Sequence, residues 1–332
     1  MKACLLKAAA PITTHPLVYT DVEQPTCLPD QVLIKVNVCG ICRTDLHVVE
    51  GDLPLPKLPI IPGHQIVGTV AECGRETHAF KKGQRVGVAW LQSTCGTCVY
   101  CRKSQENLCE RAKFTGWTAQ GGYAEYAVAP ENYIYPLPDA FSDAQAAPLL
   151  CAGIIGYRSI RLTGIQYWPG ARVGIYGFGA AGHVAIQLMQ AWGADVYVAT
   201  RDKKHQELAE SLGAVWTGGT LAKPPVPLDA AIVFAPVGEI VPVALKALDK
   251  AGVLVLAGIH MSPIPSFDYK ILYGERVIRS VTNNTRQDGE EFLQEATRLG
   301  IKTHVVGFPL SLANEALEAL KHDGFQGAGL LY

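Results

Sequence analysis

The feature that most constrains this chain is a glycine-rich turn with a strand before it and a helix after it. The buried-strand pattern Arg172–Tyr176 runs into Gly177-Phe178-Gly179-Ala180-Ala181-Gly182, and a helical run over Ala181–Trp192 follows. A bare G-x-G-x-x-G is weak evidence, but between a strand and a helix it reads as a dinucleotide-binding turn. Gly177 permits the tight turn, Gly179 lets the backbone approach a pyrophosphate, and Gly182 allows close helix–strand packing. The helix N-terminus, with Ala180 and Ala181, supplies N–H groups and positive dipole. The alternative is a glycine-rich turn with no ligand.

The texture around this turn places it in a larger unit. Val196–Thr200 reads as the next strand and Lys203–Leu212 as the next helix. Ala230–Ala235 and Val253–Ala257 are further apolar runs, with a helix-like segment Val241–Asp249 between them. Strands alternating with helices of roughly 10–15 residues predict βαβ units and a parallel sheet. Before residue 152 the pattern differs. Gln31–Val38, Gln65–Ala71 and Arg85–Ala89 are short β-branched runs punctuated by Gly and Pro, which predict an irregular β-rich domain. Helical runs at Asp288–Leu299 and Leu312–His322 break the alternation, so the tail is expected to return to that first domain. The division is then 1–152 with 286–332, and 153–285. A chain of 332 residues is comfortable for two domains.

Cofactor choice should lie at the end of the second strand, where an acid normally holds the ribose 2′-OH of NAD. Here Thr200 takes that place and Arg201 follows. A hydroxyl and a guanidinium suit a 2′-phosphate, which a carboxylate would repel, so NADP(H) is favoured over NAD(H). Asp202 lies one residue later, and a one-residue slip in register would weaken the preference.

The net charge of −1 gives no reason to expect nucleic acid or an anionic membrane as partner. No stretch approaches the ~20 apolar residues of a spanning helix. The basic start Met1–Lys7 is too short and interrupted for a secretory signal, so a cytoplasmic chain with reduced thiols is expected. Its ten cysteines then call for metal rather than disulfides. Cys95, Cys98, Cys101 and Cys109 form a C-x2-C-x2-C-x7-C cluster, which can close a tetrahedral structural zinc site. An iron–sulfur cluster would accept four cysteines, but ferredoxin spacings differ. Three other segments are rich in donors: Cys39-Gly-Ile-Cys42-Arg43-Thr44-Asp45-Leu46-His47, Gly63-His64-Gln65 and Leu150-Cys151-Ala152-Gly153. Read as residues alone, they stay open between a metal site, a redox pair, a turn histidine and core-filling cysteines.

Taken in order, these segments resemble the zinc-containing medium-chain alcohol dehydrogenases over essentially the whole chain. Gly83-Gln84-Arg85-Val86-Gly87 and Gly121-Gly122-Tyr123-Ala124-Glu125-Tyr126 are shorter echoes of that family. The look is that of its bacterial alcohol dehydrogenase and cinnamyl-alcohol-dehydrogenase-like branch. The resemblance implies a GroES-like catalytic domain beside a Rossmann cofactor domain. It also implies two Zn2+ per chain and hydride transfer between an alcohol or aldehyde and NADP(H) or NAD(H). It matches Cys42, His64 and Cys151 to the ligands of a catalytic zinc, with one position left for water or substrate. Thr44 matches the hydroxyl that bonds the substrate oxygen, His47 the proton relay, and Asp45 the carboxylate behind the histidine ligand. Arg43 matches a cofactor-pyrophosphate contact, and Cys39 matches no ligand. Three positions depart from the family: Gln65 stands for the usual Glu, Ile155 for a small or hydroxylated residue against the nicotinamide, and Thr200 for the usual acid.

Trp90 and Trp117 lie beside motifs that flank the family's substrate pocket, so they are candidates to line it for apolar or aromatic substrates; the alternative is core packing. His260 and Met261 are weaker candidates near the nicotinamide. Relatives form dimers or tetramers through their cofactor-domain sheets, and Val277–Asn283 is the candidate segment for that contact. Two competing readings are a metal-independent enoyl or quinone reductase and a zinc-stabilised dinucleotide sensor. The joint presence of Cys42, His64 and Cys151 argues against the first, and the Thr44–His47 pair against the second.

Overall fold

The computed structural model describes all 332 residues, and they fall into two compact units. One comprises Met1–Cys151, Asn284–Thr297 and Lys302–Tyr332; the other comprises Ala152–Asn283 and Arg298–Ile301.

The first unit is built around the eleven-residue strand Gln31–Ile41. It pairs antiparallel with Gln65–Cys73 on one edge, and with Tyr126–Pro130 and Ala328–Leu331 at different ends of the other. The sheet continues through Arg85–Val88 to Ile134–Pro136, and Val305–Phe308 joins Ala328–Leu331 in parallel. Val32, Ile34, Ile41, Ile66, Val70, Val86 and Val88 are buried in its core. β-Branched side chains fit such a half-buried pleated surface. The helix Arg43–Glu50 leaves the end of the long strand directly and ends at Gly51, which takes the left-handed conformation at φ 82°.

The second unit is a six-stranded parallel sheet. Its order is Trp216–Gly218, Asp195–Ala199, Arg172–Tyr176, Leu228–Val233, Leu248–Leu256, Val277–Ser280. In sequence order this is 3-2-1-4-5-6, the doubly wound arrangement, with the glycine turn at the switch point beside Arg172–Tyr176. Val173 and Ile175 face 0% exposure. At the opposite end of that strand, Arg172 Nε donates to Asp229 Oδ2 at 3.1 Å and Nη2 to Asp249 Oδ2 at 3.2 Å.

The expected helical runs Ala181–Trp192, Lys203–Leu212 and Val241–Asp249 lie within one or two residues of the helices observed, whereas the helix Ile154–Arg161 and the strand Trp216–Gly218 had no expectation attached to them. The segment Val241–Asp249 is expected to be helical throughout. The helix instead spans Ile240–Ala247, because Leu248 leaves it to pair with Leu228 at the start of a nine-residue strand. That strand turns at Ala251, which has φ 61°.

Candidate active site

The Arg43–Glu50 helix begins at a sulfur. Cys42 is its N-cap: Sγ accepts the Thr44 N–H at 3.4 Å, while the Cys42 N–H donates to Asp45 Oδ2 at 2.8 Å. This reciprocal cap fixes the Asp45 carboxylate, whose Oδ1 bonds His64 Nδ1 at 3.0 Å in a buried contact. The bond selects His64 Nε2 as the free face of the ring. Nε2 lies 3.5 Å from Cys42 Sγ and 3.2 Å from Cys151 Sγ, and the two sulfurs are 4.0 Å apart.

Cys151 reaches this point from a π-helical turn, Leu149–Gly153. Such wide turns re-aim a side chain at the cost of regular hydrogen bonding and recur at functional sites. Gly63, just before His64, has φ 94° and no room for a methyl, since a Cβ there would lie 2.3 Å from the Tyr123 ring. The site therefore depends on both the residues that point in and those that stay small.

Three donor atoms so close compete for protons. Burial opposes charge on His64, yet the Asp45 carboxylate and the Cys42 sulfur outweigh it and hold the imidazole up at about 10. The hydrogen bond to Cys151, then burial, pushes the Cys42 thiol far above its ordinary value. A divalent cation satisfies all three at once. Two thiolates and one imidazole, with one position open, fit zinc as a Lewis acid rather than as a closed structural ion.

The other candidates fall around this set. Thr44 is half-buried in the first turn of the helix. His47 Nδ1 bonds Asp52 Oδ2 at 2.8 Å, a partner that sequence reasoning did not supply. Gln65 is 1% exposed, and its amide folds over Gly40, where a Cβ would lie 2.6 Å from Oε1. Cys39 is fully buried and packs against the first unit's core. Arg43 is ion-paired with Asp323 at 2.8 Å, with both side chains near half exposure.

Trp90 is 7% exposed and belongs to the core cluster, but its ring edge meets His64 at 4.9 Å between centroids. Trp117 stacks on it at 5.8 Å and 9°, and Phe114 lies close to both. The Trp117 indole N–H donates to Pro54 O at 2.9 Å. Phe114 and Pro54 carried no sequence signal of their own. His260 is exposed, and Met261 packs partly against the second unit's core.

Cys95, Cys98, Cys101 and Cys109 also converge, with all four sulfurs within 4.8 Å of one another. Backbone N–H groups point at these sulfurs: Cys98 N to Cys95 Sγ at 3.3 Å, Cys101 N to Cys98 Sγ at 3.5 Å, and Cys95 N to Cys109 Sγ at 3.4 Å. The Thr97 and Cys98 N–H groups hold the Cys95 thiol well below its usual range. N–H groups facing sulfur favour thiolates, which is the protonation state that zinc requires.

In the second unit, Gly177 has φ 87°, and a Cβ there would lie 2.8 Å from the Ala235 backbone nitrogen. At Gly179 a Cβ would meet nothing within 4 Å. That open ground at the N-terminus of the Ala180–Ala191 helix is the cradle a diphosphate requires. Thr200 comes directly after the Asp195–Ala199 strand. The Asp202 carboxylate caps the following helix by accepting the Lys204 N–H at 2.8 Å. Ile155 is half-buried in the helix Ile154–Arg161.

Comparison with known proteins decides the family. Residues 28–139 match the alcohol dehydrogenase GroES-like domain, and residues 180–298 match the zinc-binding dehydrogenase domain. A probable alcohol dehydrogenase, AdhA, of Mycobacterium tuberculosis is 46% identical, over 100% of this chain and 97% of that protein. The chain belongs to the zinc-dependent alcohol dehydrogenase family. Among solved structures it is similar to a cinnamyl alcohol dehydrogenase of Sorghum bicolor, at a TM-score of 0.89 and 27% identity, covering 99% of this chain and 97% of that one. It is also similar to a Helicobacter pylori enzyme, CAD, complexed with NADP(H), at a TM-score of 0.87 and 25% identity, covering 100% and 98%. The dehydrogenase moves a hydride between an alcohol or aldehyde and a nicotinamide dinucleotide, and it uses zinc. No helix is long and apolar enough to cross a membrane.

Proposed function

We propose that this dehydrogenase reduces apolar and aromatic aldehydes, and oxidises the matching primary alcohols, with NADP(H) preferred. The observation that carries the reading is the convergence of Cys42, His64 and Cys151 with Asp45 behind the imidazole. Cys42, His64 and Cys151 would hold zinc, which when bound would polarise the substrate oxygen, and a bound nicotinamide would supply or accept the hydride. Asp45 fixes the His64 tautomer so that Nε2 faces the metal. Thr44 holds the substrate oxygen and passes its proton toward His47, which Asp52 orients through Nδ1. Arg43 takes the cofactor diphosphate by exchanging Asp323. Trp117, stacked on Trp90 beside His64, favours flat apolar substrates, and Ile155 gives the nicotinamide an apolar contact.

A second zinc closes the Cys95, Cys98, Cys101 and Cys109 lobe, making two per chain. Residues 1–152 and 286–332 serve as the catalytic domain and 153–285 as the cofactor domain. The preference for NADP(H) rests on Thr200 and Arg201, with Asp202 committed to its helix cap. The structural neighbour bound to NADP(H) is in keeping with it. Val277–Ser280 is the edge strand of the parallel sheet and pairs only with Leu248–Leu256. With Val277 exposed, it is where a second copy would add its own strand to form a dimer or the half of a tetramer. A reducing cytoplasm suits a chain that needs six thiols as metal ligands.

Initial rates with a panel of aliphatic and aromatic aldehydes, using NADPH and NADH in parallel on protein of measured zinc content, test the reading. It expects two zinc ions per chain, higher kcat/KM for aromatic aldehydes, and a preference for NADPH. A preference for NADH removes the Thr200 argument alone. No turnover on fully metallated protein removes the assignment of the catalytic residues.

A further inference from the structure

The Gly121–Tyr126 motif has so far been given no task, and its tyrosine is one of two fully buried tyrosines, with Tyr176, whose hydroxyl has no bonded partner. Its position is tightly set. Gly121 N donates to Ile61 O at 2.7 Å, Gly122 N to Gly63 O at 2.9 Å, and Tyr123 N to Pro62 O at 3.0 Å. The segment is thus laced along the chain that leads into His64. The ring lies against Gly63, in the space where a Cβ would be 2.3 Å from Cδ1 and 2.6 Å from Cε1.

A phenylalanine would fill this place without burying a hydroxyl, and an unpaired buried hydroxyl is destabilising. The polar group that the Tyr123 hydroxyl faces is the Asp45 carboxylate, although no bond of ordinary length closes between them. A phenol is protonated at neutral pH, so it remains a donor. Asp45 has lone pairs to receive it: Oδ1 bonds His64 Nδ1, Oδ2 accepts the Cys42 N–H, and each oxygen can accept a second donor.

We propose that Tyr123 is a positioning residue of the catalytic metal site, whose hydroxyl donates to Asp45 and thereby steadies the carboxylate that holds His64 on the metal. This rests on the reading of Cys42, His64 and Cys151 as zinc ligands. Its action runs through two other side chains: tyrosine to aspartate, aspartate to imidazole. Partners one step behind a metal ligand commonly change metal affinity by roughly 10–100-fold when removed. A hydroxyl one step further back should act below that range, by about 3–10-fold.

Metal retention in the full-length holoenzyme is the test, comparing wild type, Tyr123→Phe, Asp45→Asn and the double variant. The catalytic site is loaded with Co2+, whose visible bands report the two-sulfur, one-nitrogen donor set. The four-cysteine lobe keeps Zn2+ as an internal control, and release is followed after adding excess chelator. Tyr123→Phe is expected to release cobalt about 3–10-fold faster and to shift the visible bands, with zinc loss from the lobe unchanged. Asp45→Asn should release it faster still, and adding Tyr123→Phe to it should change nothing more. Equal cobalt release in Tyr123→Phe and wild type overturns the role of the hydroxyl. So does an effect that adds fully to Asp45→Asn, or one that appears equally at the lobe, which would mark general loosening of the fold. A wild type that binds no cobalt at Cys42, His64 and Cys151 overturns the metal reading itself.

Discussion

Two glycines in one turn, two residues apart, should respond to the same methyl group in opposite ways. At Gly177 the backbone has φ 87°, and an added Cβ would meet the Ala235 nitrogen at 2.8 Å and the Ala235 Cβ at 2.9 Å. Left-handed backbone costs an L-residue about 1–2 kcal/mol, and overpacking against main chain, which cannot rotate away, adds about 1–3. Gly177→Ala should therefore lose roughly 2–5 kcal/mol and lower Tm by several degrees. At Gly179 the backbone is extended, with φ −89°, and nothing lies within 4 Å of an added Cβ. Gly179→Ala should leave stability within about 1 kcal/mol, on the stabilising side if anything. Its methyl stands where the diphosphate must approach the helix N-terminus. Displacing two charge-assisted hydrogen bonds, at about 1.5 kcal/mol each, weakens cofactor binding by roughly 100-fold. Urea denaturation measures the first quantity, and quenching of intrinsic fluorescence by NADPH measures the second. A Gly179→Ala protein that binds NADPH as wild type does would refute the placement of the diphosphate at this turn. A Gly177→Ala protein of normal stability would refute the steric argument.

Thr200→Asp places a carboxylate about 4 Å from a 2′-phosphate, a repulsion of roughly 2–4 kcal/mol at the dielectric of a protein surface, so the ratio of NADPH to NADH kcat/KM should fall at least 30-fold. An unchanged ratio would remove Thr200 from cofactor selection. Cys109→Ser should lower zinc content from two ions per chain to one and expose the lobe around Cys95–Cys109 to limited proteolysis; full zinc retention would show the four sulfurs are not one site. Asp229→Asn should cost about 1 kcal/mol at pH 7, a figure kept small because the pair with Arg172 is about a third exposed. The Arg172 bonds outweigh burial and hold the Asp229 carboxyl below its ordinary value. Its stabilisation is therefore present above the unfolded pKa of about 3.9 and fades as pH falls through the lower folded one. Urea midpoints of variant and wild type should draw together as pH falls below about 3.9, and a gap that widens on acidification would contradict the assignment.

The central strands of the parallel sheet were easy to read because they declare themselves locally, whereas the three-residue strand Trp216–Gly218 is too short to do so. Arg172–Tyr176 is continuous apolar chain, the glycines follow at once, and the helices repeat with their own period. The first unit hides more, since its strand Gln31–Ile41 finds partners more than 90 and about 290 residues away, and no local pattern states such distances. The donor residues were visible individually. Their meeting was not, because His64 lies 22 residues from Cys42 and 87 from Cys151, and family likeness rather than spacing joined them. Long-range partners with ordinary local sequence stayed out of view: Asp323 for Arg43, Pro54 for Trp117, and Tyr123 against Gly63.

The sulfur cap of the Arg43–Glu50 helix makes one residue answerable for three parts of the site. Cys42 orders the helix start, and the same cap positions Asp45 and so His64. A change at Cys42 would therefore be felt at the sulfur itself, at the first turn of the helix and at an imidazole 22 residues away.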